Sequence, residues 1–327
     1  MGCLKKILVI RFSSIGDIVL TTPVLRCVKA KFPNAEIHFL TKKSFESVIA
    51  SNPNVSKVIT IDKEVGEVAD VLKAEQYDYV IDLHKNIRSR QVKSLVKSPS
   101  CSFNKYNWEK WLLTNFKINK MPDVHIVDRY LEQVNELGVV NDLKGLDFFI
   151  ESKNEVTNPP FSNYVCLVIG AAHATKALTI EKMVEVVDSI NANFVLIGGP
   201  GEKEKAEEVI KLAKNSKLFN TCGGFNIEQS ASLLKQSSCV ITPDTGMMHI
   251  ASALEKPVIS VWGNTVPEFG MYPYIPQNKD LVHIVEVKGL QCRPCSKIGY
   301  PACPKKHFNC IQQLDVNQIK NLVAKYM

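Results

Sequence analysis

No apolar run in this sequence approaches the roughly 20 residues that a bilayer-crossing helix needs, which sets aside an integral membrane protein. Near the first methionine the apolar run is Ile7 to Ile10 before Arg11, too short for the h-region of a signal peptide. Lys6 stands where a myristoylation signal needs Ser or Thr. The expected location is therefore cytoplasmic. The dinucleotide fingerprint G-x-G-x-x-G is missing after the first strand of either half, which disfavours a nicotinamide oxidoreductase. The Walker pattern G-x4-G-K-[ST] is missing as well. No nucleic-acid module is legible, and no short-period repeat occurs. Acids are scarce between Lys85 and Lys120, where nine Lys and Arg face the lone Glu109. Phe103, Tyr106, Trp108, Trp111 and Phe116 are interleaved with them. Such a segment is either a solvated basic helix or a face for an anionic partner or membrane headgroups.

What is present is ordinary for a soluble globular protein: 45% hydrophobic and 22% charged residues, with a net charge of +7. A length of 327 residues is natural for two domains. Ten cysteines in a chain read as cytoplasmic argue against a disulfide framework. Cys3, Cys27, Cys166, Cys222 and Cys239 lie in or beside apolar segments and read as small packed hydrophobes. Cys292, Cys295, Cys303 and Cys310 cluster late, with His307 nearby. Their number and type suit a structural zinc site, but the spacing is not that of a standard finger. A reduced packed loop or a disulfide is the alternative, and no metal is assigned.

Strand and helix alternate along the chain, which specifies doubly wound parallel sheets. Residues 5–11 read as a buried strand and residues 17–31 as one helix, joined by a loop through Ser13, Ser14, Gly16 and Asp17. Asp17 is either an N-cap or a carboxylate held at the carboxyl end of a parallel strand, where open α/β sheets bind ligands. A strand at 79–83 ends toward His84 and Arg88. His125 and Arg129, four apart, open a helix on one face, either solvated or an anion grip. The polar stretch 151–163, with Pro159-Pro160, marks the domain boundary.

In the second half a strand at 164–169 leads into small residues and Lys176, a phosphate-approach loop in character. After the strand at 194–197, Glu202 opens a helix; it is either a ribose-binding acid or a first-turn acid favoured by the dipole. The stretch 241–265 reads strand, turn at Asp244-Thr245-Gly246, helix and strand, a parallel crossover unit. The helix N-terminus and the Thr245 hydroxyl make an anion site that Gly246 lets a ligand approach. The plainer reading is a cap, with His249 as a packed helix histidine.

The segments RFSSIGDIVLTTPVL, YDYVIDLHKNIRSR, HIVDRYLEQVNELG, IGGPGEKEKA and PDTGMMHIASALEKPVISVWGNT occur in this order, with the Lys176 loop between the third and fourth. Together they resemble the family 9 glycosyltransferases, the lipopolysaccharide heptosyltransferases, over nearly the whole chain. The resemblance implies a GT-B fold: two Rossmann-like, doubly wound α/β domains facing a cleft. It implies an acceptor domain at 1–155, a nucleotide-sugar domain at 160–312, and a C-terminal helix at 313–327 packing back toward the first domain.

It further implies an inverting, metal-independent transfer, with no cofactor, from an ADP-heptose-like donor to a Kdo-lipid A acceptor at the inner-membrane face, the protein being peripheral there. Asp17 matches the general base. Lys176, Glu202, Phe225, Asp244, Thr245, Gly246 and His249 match donor-binding positions, and Ser13, Ser14, Arg88, His125 and Arg129 match acceptor-binding ones. The sequence departs from the family where Ala177-Leu178-Thr179 follow Lys176 in place of an aromatic and Pro, and where Asn264 interrupts Gly-Pro-Thr. A non-catalytic nucleotide-sugar or glycan-binding protein and a GT-B-shaped nucleotide-sugar epimerase are the competing classes.

Overall fold

A computed structural model describes residues 4–327; Cys3 lies outside the described residues. Residues through Lys105 together with Val124–Phe149 form one compact unit, and Tyr106–Asp123 together with Ile150–Met327 form a second.

The first unit runs β1 (Lys6–Ile10), α1 (Ile15–Val19), α2 (Thr22–Lys31), β2 (Glu36–Lys42), β3 (Lys57–Ile61), α3 (Ala69–Ala74), β4 (Tyr79–Asp82), α4 (Ile87–Val96) and β5 (Ser100–Ser102). The chain then lends α5 (Asn107–Phe116) to the second unit and returns with α6 (Ile126–Glu132). All strands pair in parallel, in the order β3-β2-β1-β4-β5. Ile7, Leu8, Val9 and Ile10 are all buried, as a strand covered on both faces requires. The order reverses between β1 and β4, so ligands are expected beyond their carboxyl ends.

The single helix expected over 17–31 is two helices. Pro23 has no N–H to continue the ladder. The Thr21 and Thr22 hydroxyls instead donate back to the carbonyls of Ile18 and Val19, each at 2.7 Å.

The second unit runs β6 (Val165–Val168), α7 (Ile180–Ser189), β7 (Phe194–Ile197), α8 (Lys203–Leu212), β8 (Leu218–Asn220), α9 (Ile227–Gln236), β9 (Cys239–Pro243), α10 (Gly246–Ala253), β10 (Val258–Trp262), β11 (Val282–Glu286), α11 (Asn309–Gln312) and α12 (Val316–Val323). Its parallel order is β11-β10-β9-β6-β7-β8, with the switch point between β6 and β9. The C-terminal helix belongs to the second unit. Val316, Ile319 and Val323, spaced as one helical face, lie in the second unit's core, where α12 packs on α7, β10 and β11. Residues 106–123 belong to the second unit although they precede most of it in the chain. Leu113 of α5 packs with Val266 and Phe269 of the second unit, which fixes that helix there.

Candidate active site

The switch point of the first sheet carries a charged cluster. Arg11, the residue after β1, is buried. Its Nη1 donates to the Leu83 carbonyl at 2.5 Å and to the Tyr130 hydroxyl at 3.1 Å, and its Nε to the Ser13 carbonyl at 2.9 Å. Its Nη2 stands 2.5 Å from Asp17 Oδ1. Asp17 Oδ2 accepts from the Ser14 backbone N–H at 3.1 Å and the Ser14 hydroxyl at 2.9 Å. The Asp17 side chain keeps about a fifth of its surface exposed, enough for a ligand to reach. Burial alone raises a carboxyl's pKa; here Arg11 and Ser14 more than offset it and hold Asp17 below the usual range. Asp17 is therefore ionised across the neutral range and able to accept a proton.

Beside this cluster, His84 packs edge-on to Phe12 at 5.2 Å. Its pKa is pushed down to about 4, by burial first and then by the Arg11 and Lys105 charges, so the imidazole is neutral at pH 7. Burial pushes the Tyr130 phenol up to about 12, so it stays protonated. Asp82 is a structural acid. Its Oδ1 accepts the N–H groups of His84 and Lys85 at 3.0 and 2.7 Å, and its Oδ2 accepts the Ser89 hydroxyl at 2.8 Å.

Arg88, in the first turn of α4, is exposed and lines an open groove with Glu64, Ala69 and Gln91. His125 and Arg129 are both buried, so the solvated-face reading of this pair does not hold. His125 caps α6, its Nδ1 accepting from the Val127 N–H at 3.2 Å. Arg129 donates twice to the Val124 carbonyl, at 2.9 and 2.7 Å. What α6 delivers to the Asp17 cluster is Tyr130, a residue with no signal in sequence beyond its apolar neighbours.

The second sheet carries its own cluster at the ends of β6 and β9. Lys176 Nζ stands 2.6 Å from Asp244 Oδ2, and Thr265 Oγ1 donates to the same oxygen at 2.9 Å. Thr245 is the N-cap residue of α10 without a side-chain cap bond, its hydroxyl standing 3.4 Å from that of Thr242. The first turn of α10, from Gly246, thus presents backbone N–H groups next to a lysine ammonium. His249 is buried one turn further along. Glu202 lies across Gly170: a Cβ added there would meet the carboxyl carbon at 2.6 Å. Glycine at the end of β6 is thus what lets the acid reach over the strand ends. The loop carrying half-buried Phe225 follows β8, with Gly223 tight against Pro200 of the Glu202 turn.

Two loops hold this cluster from behind. Thr175 Oγ1 accepts the Tyr300 N–H at 2.7 Å, and the Thr175 carbonyl accepts the Asn264 N–H at 3.1 Å. Arg293 pairs with Glu286 at 2.7 Å and donates to the carbonyls of Gly263 and Thr265 at 2.7 and 2.8 Å. Thr265 ends the GNT sequence that closes the Asp244 block, the one local signal for it, while Arg293 lies inside the late cysteine cluster.

Cys292, Cys295, Cys303, Cys310 and His307 line one small cavity behind these loops. Cys292 Sγ stands 3.8 Å from His307 Nε2. Burial raises the Cys303 pKa, but backbone N–H groups of residues 305–308 hold it below that of an ordinary thiol. The nine described cysteines are free thiols, and among the described residues no three His, Cys, Asp or Glu side chains are grouped to hold a metal ion.

Solved proteins share this architecture. The E. coli ADP-heptose lipopolysaccharide heptosyltransferase II superposes with a TM-score of 0.72 at 17% identity, over 98% of this chain and 99% of that one. An E. coli heptosyltransferase solved with ADP gives 0.69 at 21% identity, over 98% and 97%. Two Rossmann-like parallel sheets of this kind define the GT-B glycosyltransferases. Within that class the model of glycosyltransferase family 9 (heptosyltransferase) matches residues 65–305, and the chain belongs to that family. Lipooligosaccharide heptosyltransferase 2 of Haemophilus influenzae is 23% identical, covering 98% of this chain and 99% of its own. The protein of the same name from Campylobacter jejuni is 25% identical, covering 95% and 96%.

Proposed function

We propose that this glycosyltransferase moves a heptose from ADP-heptose to the Kdo-bearing inner core of lipopolysaccharide, inverting the anomeric carbon without a metal. The observation that carries the reading is the Lys176–Asp244–Thr265 cluster beside the start of α10, at the switch point of the second sheet. In this reading Asp17 takes the proton of the acceptor hydroxyl, whose oxygen bonds to the anomeric carbon as the bond to the diphosphate breaks. Lys176, the Thr245 hydroxyl and the first turn of α10 stabilise the charge on departing ADP. Asp244 orients the sugar, Glu202 the ribose diol, and Phe225 lies along the adenine. Ser13, Ser14, Arg88, His125 and Arg129 belong to the acceptor side, with the last two acting through the backbone they brace.

Support for the donor comes from relatives: E. coli heptosyltransferases have been solved with ADP and with an ADP-2-deoxy-2-fluoro heptose. Lipopolysaccharide and lipooligosaccharide heptosyltransferases head the related sequences. Such an acceptor places the protein at the cytoplasmic face of the inner membrane as a peripheral protein. Purified protein given ADP-heptose and a Kdo-terminated acceptor is expected to release ADP only when both are present. Donor turnover without acceptor would favour the epimerase reading, and donor binding without turnover the silent binding protein.

A further inference from the structure

Resting on the glycolipid reading above, we propose that α5 and the loop at residues 297–300 form a lipid-docking face that seats the second unit on a bilayer of anionic headgroups. Leu113 fixes the inward side of α5 by packing on Val266 and Phe269. That leaves Trp108 63%, Trp111 38%, Phe116 59% and Ile118 47% exposed. Two of the chain's three tryptophans therefore stand in water on one helix, while Trp262 is buried. They are ordered against each other: the Trp108 and Trp111 rings stack at 4.8 Å and 19°, and Phe116 meets Trp111 edge-on at 5.1 Å.

The neighbouring loop extends the patch. Lys297 Nζ reaches the Asn107 carbonyl at 3.4 Å, and Lys117 Nζ reaches the Pro294 carbonyl at 2.7 Å, which ties that loop to both ends of the helix. Just after Lys297 in the chain, Ile298 is 64% and Tyr300 39% exposed.

A contiguous exposed apolar patch marks a surface with a partner. Its chemistry selects the partner. Tryptophan concentrates at the membrane–water boundary, apolar face inward and N–H outward. Lys117 and Lys120 are exposed beside the aromatics, and Glu109 is the one acid in α5. Lysine beside aromatics is the composition of a helix lying in an anionic interface. A second copy docked on this face about a two-fold axis would bring two patches of the same positive sign together. No helix of the described residues is long and apolar enough to cross a membrane, so seating in the interface is the mode that remains for this face.

The test is flotation of the full chain with vesicles of phosphatidylethanolamine and phosphatidylglycerol, against vesicles of phosphatidylcholine alone, read also by tryptophan emission. Wild type is expected to float with the anionic vesicles, to shift its emission to the blue, and to release as salt rises. Trp108→Ser/Trp111→Ser, and separately Phe116→Ser/Ile118→Ser, are expected to lower partitioning at least about tenfold. Both should keep their Tm and their ADP release on a soluble Kdo-terminated acceptor. Partitioning of both variants equal to wild type would overturn the proposal. So would a wild-type dimer dispersed by either variant, since the face then belongs to a second copy. Absence of ADP release from wild type on any core acceptor would instead sink the glycolipid reading, with flotation still reporting on the face itself.

Discussion

Asp17 and Asp244 are each held by one cation and a hydroxyl donor: Arg11 and Ser14 for the first, Lys176 and Thr265 for the second. Asp17 shares Arg11 and the Ser14 donors, so it stands ready as a carboxylate of low basicity. Asp17→Asn keeps the shape and removes the proton acceptor. It is expected to lower kcat about 100- to 10,000-fold while donor affinity, read by calorimetry with ADP-heptose, is unchanged; equal loss of both would remove Asp17 from the role of base. Because its folded pKa is lowered, the stabilisation Asp17 contributes is present above the unfolded value and is lost as pH falls through the folded one. Arg11→Gln removes the main offset to burial, so the acid limb of kcat/KM should move to higher pH; an unmoved limb would assign it to another group. Thr265→Val takes one hydrogen bond from Asp244. That is about 1 kcal/mol, or about a fivefold loss of donor affinity by titration.

The elements do the positioning. A parallel strand followed by a turn and a helix puts the turn at the sheet's carboxyl edge, which is how Asp17, Lys176 and Asp244 come to lie there. The loop after β10 is braced by backbone as much as by side chains. A Cβ at Gly263 would stand 2.5 Å from the Thr175 carbonyl oxygen and 2.9 Å from Ile311 Cδ1. Gly263→Ala is thus expected to cost about 1–3 kcal/mol, seen as a lower urea midpoint with unchanged m. Since Thr175 precedes Lys176, it should also weaken ADP binding, and an unaltered midpoint would show that the strand end relaxes freely. Helix α5 reads in sequence only as a basic, aromatic stretch. Its attachment through Leu113 to residues of the second unit depends on contacts more than 150 positions away, which no local pattern encodes.

At the scale of the molecule, a ligand that binds the folded state stabilises it by mass action. ADP at about 100 times its Kd should add about 2.7 kcal/mol, raising Tm in a calorimetric scan, and Lys176→Ala should erase most of that gain. An equal gain in the variant would remove Lys176 from the nucleotide site. The sequence by itself determined the α/β class, the two-unit plan and the glycine-bearing turns that carry Asp17, Lys176 and Asp244. Apolar runs of strand length and helix caps are local properties, and local physics suffices to read them. Tertiary structure alone decided that Arg11 and Tyr130 hold Asp17, that Thr265 shares Asp244 with Lys176, and that α12 closes the second unit's core. Those outcomes turn on which distant side chains compete for the same polar atom or apolar groove, and that competition is settled only when the chain has folded.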